Sequence, residues 1–321
     1  MSIALSVVIA AHNPRAAYLE EVLESLKGQS LAPRCWELLL VDNASCEPLA
    51  DAVDLSWHPQ ARHIREEQLG VVHARSRGLG ESCGEIVVFV DDDNVLESSY
   101  LEMAVQIGQD YPRLGIWGGQ VLPRFESEPP LWTRPLWPLL AIRQFDRDRW
   151  SNLDQSETMP VGAGMCLRRT VARKYLQLIE ADPRRLQLGR QGDLLMSCED
   201  FDMALTALDL GLGAGLFTRL QLTHLIPAER LGEAYLLRLV KGIVYSTALL
   251  DYLRGREPEQ LPWRTRLRYF LGSLLMPARE RRFLKATKSA QTLAKKQIET
   301  MRAAQERLLP TSAPAENFAA H

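Results

Sequence analysis

The stretch Glu85-Ile86-Val87-Val88-Phe89-Val90, followed at once by Asp91-Asp92-Asp93-Asn94, limits the possible folds of this chain more tightly than any other. The β-branched and aromatic run is short enough for a buried strand, and three adjacent carboxylates cannot continue unpaired into an apolar core. The acids must therefore stand at the carboxyl end of the strand, facing solvent or a cation. In open α/β sheets ligands bind at that edge, and hard divalent cations are commonly held there by one or two carboxylates and ligand phosphate oxygens. Asp91 and Asp93 flank one such position. The alternative is an acidic turn leading into a helix over Ser98 to Gly108.

The residues before this stretch repeat a strand-and-helix alternation. Leu5 to Ala11 reads as a strand buried on both faces, broken by His12-Asn13-Pro14. Leu19, Val22, Leu23 and Leu26 follow at helical spacing. Trp36 to Val41 is a second strand, ending at Asp42-Asn43-Ala44-Ser45, and a short third is expected over Arg62 to Arg65. Gly70 then opens a helix over Val71 to Glu81 that carries Arg75 and Arg77. Polar residues thus close each strand, and Asp42, the arginines and the aspartates could grip a nucleoside diphosphate by base or ribose, phosphates and metal. Asp42 as a turn former and the arginines as a solvated helix face are the other readings.

The second half is less regular. A strand is expected over Ile116 to Val121, followed by five prolines interleaved with Trp132, Trp137, Phe145 and Trp150, which excludes an α-helix there. These rings either stack on sugars or anchor a long loop. Pro160 to Leu167 reads as a strand whose Gly162 and Gly164 permit close approach of a ligand or backbone. Cys198-Glu199-Asp200-Phe201-Asp202 opens a helix to about Asp209, with more acids in its first turn than capping needs. Leu216 to Thr223 returns as a strand and delivers His224, as a structural residue or as a ligand.

Five cysteines form no C-x-x-C pair and, being odd in number, cannot all pair internally, so reduced thiols and a cytoplasmic setting are expected. The apolar start, Ile3 to Ala11, lacks a basic flank and reads as a first strand rather than a signal segment. No run of 18 uninterrupted apolar residues predicts a membrane span. The net charge of −2 gives no basis for expecting a nucleic-acid partner. Charge is nevertheless uneven: from Trp263 to Leu309 there are twelve Lys and Arg against three Glu.

Taken together, Ser6 to Asn13, Val41 to Ser45, Gly70 to Gly78, Gly84 to Asp93, Gly162 to Arg168, Glu199-Asp200 and His224-Leu225-Ile226-Pro227 resemble, in order and spacing, the inverting family 2 glycosyltransferases with the GT-A fold. The resemblance covers roughly Ser2 to Arg230. It implies an α/β, Rossmann-like, mostly parallel sheet flanked by helices, and a metal-dependent, non-processive transferase. The donor would be a nucleotide sugar, with UDP favoured, and the acceptor a hydroxyl in glycan, polysaccharide or glycolipid synthesis. It further implies Asp200, with Glu199, as catalytic base. Donor contacts would come from Ala11, His12, Asn13, Asp42, Arg75, Asp91 and Asp92, and Mn²⁺ or Mg²⁺ would sit on Asp93, Asp91 and His224. Acceptor contacts are expected from Trp117, Gly162, Ala163 and Gly164.

Three positions depart from the family pattern: Ala10 where proline is frequent, His12 where tyrosine is usual, and Ser76 where asparagine is usual. The processive signature Q-x-x-R-W is missing after Glu199-Asp200; Gln144 to Asp148 precedes the acid pair and ends in Asp148. Transfer of a single sugar is therefore expected. The domains expected are 1–230 (donor half about 1–120, acceptor half about 121–230), a basic helical extension over 231–309, and a disordered tail over 310–321. The extension either packs on the body or a second subunit, or lies on the inner face of a membrane. A sugar nucleotidyltransferase and a noncatalytic nucleotide-sugar-binding scaffold are the competing functions. The first lacks a Gly-rich phosphate loop after strand one, and the second is disfavoured by the retained acids.

Overall fold

The computed structural model describes residues 3–192, 195–256 and 276–308. Strands β1 (Leu5–Ala11), β2 (Trp36–Asn43), β3 (Ala61–Glu66) and β4 (Ile86–Asp91) pair in parallel in the order β3-β2-β1-β4. Helix α1 (Ala16–Lys27) follows β1, short α2 (Leu49–Ala52) follows β2, and α3 (Val71–Glu81) follows β3. Ala11 lies opposite Asp42 and Ala10 opposite Asp91, so the carboxyl ends of three strands stand level on one sheet edge.

The period of a strand explains why both faces are apolar. Leu5, Val7 and Ile9 enter a core shared with α1 and with α4 (Tyr100–Asp110). Val8 points the other way, joining Leu39, Val41, Val87 and Phe89 against α3, α5 (Arg169–Ala181) and α6 (Glu199–Asp209). Each fully buried Val or Leu on these faces contributes roughly 1.5–3 kcal/mol.

Beyond β4 the sheet becomes mixed. The order continues β4-β8-β6-β9-β5, where β5 is Asn94–Leu96, β6 is Leu114–Phe125, β8 is Cys166–Arg168 and β9 is Gly213–Ile226; β7 (Arg149–Ser151) also pairs with β9. Strand β8 is antiparallel to β4 and β6, while β6 and β9 run parallel. The expected strand over Pro160 to Leu167 is confined to Cys166–Arg168. Gly164 adopts φ +69°, and its carbonyl accepts from Tyr100 Oη at 2.6 Å, which bends the preceding backbone out of the sheet.

The proline-rich stretch is not an α-helix, as expected, but forms 3₁₀ turns over Leu131–Leu140. Of its rings, Trp137 packs on Phe125 and Trp132 on Phe283, around a third core of Leu140, Ile142, Ile226, Leu231, Leu236 and Leu239. Helix α7 (Glu233–Leu253) supplies Leu249 and Leu250 to the second core, and Ala286, Ala290 and Ala294 of α8 (Ala278–Leu308) are buried. Among the described residues no helix is long and apolar enough to cross a membrane. The basic aromatic stretch from Trp263 to Leu275, the end of the extension at Leu309 and the tail from Pro310 to His321 lie outside the described residues.

The surplus acid of the α6 start has a structural use. Asp202 is fully buried and receives both Arg185 Nη1 (2.5 and 2.6 Å) and Arg254 Nε (2.7 Å), tying α6 to the Pro183–Leu188 turn and to the end of α7. Removing one member of such a group strands the other charges. Asp202→Ala should lower stability by about 3–5 kcal/mol, read as a reduced urea midpoint.

Candidate active site at the sheet edge

A cavity of about 770 Å³ opens at the carboxyl ends of β1 and β4 and extends over the start of α6. Its floor is a buried guanidinium. Arg75 projects from α3 and donates from Nη2 to Asp91 Oδ1 at 2.7 Å and from Nη1 to Glu199 Oε1 at 2.9 Å, with its plane over Phe89. Burial alone would disfavour the charge, but Asp91 and Glu199 keep it firmly protonated. A side chain at 162 would meet Arg75 Nη1 at 2.5 Å, so Gly162 is the residue that leaves room for the arginine.

Around this clamp stand the two acids at the start of α6. Glu199 Oε2 accepts from Cys198 N at 3.2 Å. Burial and the charge of Asp200 push Glu199 up to about 6, against the pull of Arg75. Asp200 accepts from Gly162 N at 3.0 Å on one oxygen and from Phe201 N at 2.8 Å on the other, and it lines the cavity. Each oxygen can accept a second bond. Phe201 and Leu205, which pack in or against the second core, also reach the cavity wall.

The β1 and β2 loops are laced together. His12 Nδ1 donates to Asn43 O at 2.7 Å, Asn13 N to Ser45 Oγ at 3.0 Å, and Cys46 N to Asn13 Oδ1 at 2.8 Å. Asn13 adopts φ 45°, a left-handed conformation that asparagine tolerates. Ala11, His12, Asn13 and Asn43 line the cavity, whereas Asp42 does not. Its oxygens accept from Ser45 N, Leu49 N and Arg65 Nη1; burial opposes ionisation, but these donors, Leu49 N foremost, hold it below the usual carboxylate value.

At the other end of the aspartate run, β5 pairs antiparallel with β9 so that Asn94 faces His224. This register brings Asp93 Oδ2 to 3.4 Å from His224 Nε2. Arg230, which sequence reasoning left unassigned, inserts Nη1 at 2.9 Å from Asp93 Oδ2 and 3.2 Å from His224 Nε2. Although burial would raise it, the charges of the Arg230 and Arg190 guanidinium groups hold Asp93 well below the carboxylate range. Burial and the charges of Asp93 and Asp91 push Asp92 up to about 7, with Arg230 opposing.

A carboxylate oxygen and an imidazole nitrogen converging on one point suit a divalent cation such as Mn²⁺ or Mg²⁺. Asp91 is turned to Arg75, however, and among the described residues no three acids, histidines or cysteines form a ready-made cluster. The donor types fit a metal; in this arrangement an arginine holds the place.

Of the expected acceptor residues, Gly162 and Ala163 line the cavity, while Gly164 is used by Tyr100 and Trp117 is wholly buried in the first core. Arg143 and Arg190 also face the cavity, a contribution that no local spacing announced.

Comparison with known proteins gives this arrangement a lineage. The chain is 31% identical over 102 residues to the Drosophila melanogaster polypeptide N-acetylgalactosaminyltransferase 8, a match covering 30% of this chain and 17% of that protein. It is 26% identical over 109 residues to the putative glycosyltransferase EpsH of Bacillus subtilis, covering 33% and 31% respectively. It thus spans less than a third of either relative. The crystal structure of S. aureus TarS shares its fold, with a TM-score of 0.50 at 15% identity over 79% of this chain and 43% of that one. The family model for glycosyl transferase family 2 matches residues 6–176, from β1 through the Arg75 clamp and the aspartate run into α5. With more than half of its length under that model and a GT-A arrangement of sheet and helices, the chain belongs to glycosyl transferase family 2.

Proposed function

We propose that this protein is an inverting glycosyltransferase that moves one sugar from a nucleotide-sugar donor, with UDP favoured, to an acceptor hydroxyl. The observation that carries this reading is the Arg75 clamp: one guanidinium joins Asp91, at the β4 edge, to Glu199, beside Asp200 on the same cavity. In this reading the β1 and β2 loops, with His12, Asn13 and the Asp42–Arg65 pair nearby, receive the nucleoside. Arg190 and Arg230 supply positive charge for its diphosphate. Asp93 and His224 would hold Mn²⁺ or Mg²⁺, with Asp91 and Asp92 at its border, and the ion would neutralise charge on the leaving phosphate oxygen as a Lewis acid.

Asp200 is assigned the proton. The acceptor oxygen forms its bond to the anomeric carbon as the bond to phosphate breaks. The electron pair leaves with the nucleoside diphosphate, and the hydroxyl proton passes to Asp200. The Gly162 and Phe201 N–H groups fix the direction of the carboxylate, so no torsional search precedes the transfer. Glu199, held by Arg75, fixes the start of α6 from which Asp200 projects. Attack from the face opposite the diphosphate inverts the anomeric centre without a covalent intermediate. Ala163 and Phe201 would flank the acceptor.

Two measurements test the assignment. Asp200→Asn should keep the thermal shift produced by UDP with Mn²⁺ while transfer falls by about 10²- to 10⁴-fold; equal loss of both would remove Asp200 as the base. The pH profile of kcat/KM should rise through about 6 as Glu199 ionises and completes the clamp on Arg75. Glu199→Gln should remove that limb, because the group that titrates there is gone. A limb that stays in place would assign it to another group.

A further inference from the structure

The place between Asp93 and His224 is already taken by a cation. Arginine only donates hydrogen bonds, so His224 Nε2, at 3.2 Å from Arg230 Nη1, accepts with the same lone pair that a metal ion would use. Asp93 Oδ2 likewise offers Arg230 the oxygen that faces His224. The imidazole proton then belongs on Nδ1, a buried atom without a hydrogen-bond partner among the described residues. Both side chains are therefore aimed at one cationic point, and Arg230 fills it from the Ala228–Leu231 turn between β9 and α7. That position borders the cavity and leaves the arginine 22% exposed, unlike the fully embedded Arg75.

We propose that Arg230 is a resident counter-ion that keeps the Asp93–His224 pair closed to divalent cations until a donor diphosphate draws its guanidinium away. The inference rests on the glycosyltransferase reading and specifies how its metal and donor sites are coupled. An unpartnered buried carboxylate costs several kcal/mol, so the ligand-free protein needs some cation on Asp93. A guanidinium and a divalent ion cannot share the point, because their charges repel at contact distance. A diphosphate offers the guanidinium fork a pair of oxygens, whereas Asp93 gives it only Oδ2, its Oδ1 being taken by Asn94 Nδ2 at 2.9 Å. Exchange therefore moves Arg230 from carboxylate to phosphate and frees Asp93 only when a metal ion can replace it. Coupling of this kind is reciprocal: the metal strengthens donor binding by the factor by which the donor strengthens metal binding.

The test is Mn²⁺ binding to the full chain, followed by the electron paramagnetic resonance signal of free Mn²⁺, with and without UDP. Wild type should bind Mn²⁺ alone about tenfold or more weakly than in the presence of UDP. Arg230→Ala and Arg230→Gln should bind Mn²⁺ alone more tightly by a similar factor and lose most of the UDP effect, whereas Arg230→Lys, keeping the charge, should bind Mn²⁺ alone as weakly as wild type. Thermal melting verifies that each variant is folded. Equal Mn²⁺ affinity of wild type with and without UDP, or no gain in the two neutral variants, overturns the proposal. Asp93→Asn then separates the two levels. If it abolishes Mn²⁺ binding in the presence of UDP, the metal site stands without the gate; if it changes nothing, the metal reading falls as well.

Discussion

A guanidinium buried to within a few per cent of complete exclusion needs carboxylates, and Arg75 has two that come from distant parts of the chain. Most of the site follows from this one requirement. The α3 helix must lie close enough to the sheet to deliver the arginine across Phe89, residue 162 must lack a side chain, and α6 must start where Glu199 can meet the second nitrogen. Asp200 is then set by its neighbour, and its orientation by the Gly162 amide, the same glycine that admits Arg75. The clamp and the Asp200 carboxylate are one packing solution.

The outer end of the site obeys a different rule. There, strand register rather than a buried ion pair brings the groups together: Asn94 opposite His224 puts Asp93 beside the imidazole. The two ends contrast in their cations. Arg75 is enclosed on all sides, while Arg230 hangs from a short turn at the cavity rim. Under the proposed function the acid pair is held rigidly while a highly charged donor is admitted, and the two arginines would divide those tasks.

How much of this could be read in advance depended on the range of the interaction. The β1 and α3 boundaries were legible because a strand buried on both faces and a helix opening after glycine leave marks within a dozen residues. The aspartate run and Glu199-Asp200 were legible because acids next to apolar runs have few places to go. Strands β5 and β8 span three residues each and carry no period. Trp117 was expected to meet the acceptor, but the alternation of β6 sends it into the first core. Asp202 stood out in the sequence only as one acid more than capping needs; its partners, Arg185 and Arg254, lie 17 and 52 residues away, beyond any local pattern. Arg230 was invisible for the same reason, being 137 residues from Asp93.

The separation of the clamp's partners also orders its assembly in time. Asp91 is 16 residues from Arg75, but Glu199 is 124 residues away. During synthesis the parallel half of the sheet is complete long before Glu199 emerges, and throughout that interval the arginine has one carboxylate where the finished molecule gives it two. The nascent domain is thus left with Arg75 Nη1 without its carboxylate beneath a face that α6 will later cover, so docking of α6 closes the core and supplies the second partner in a single event.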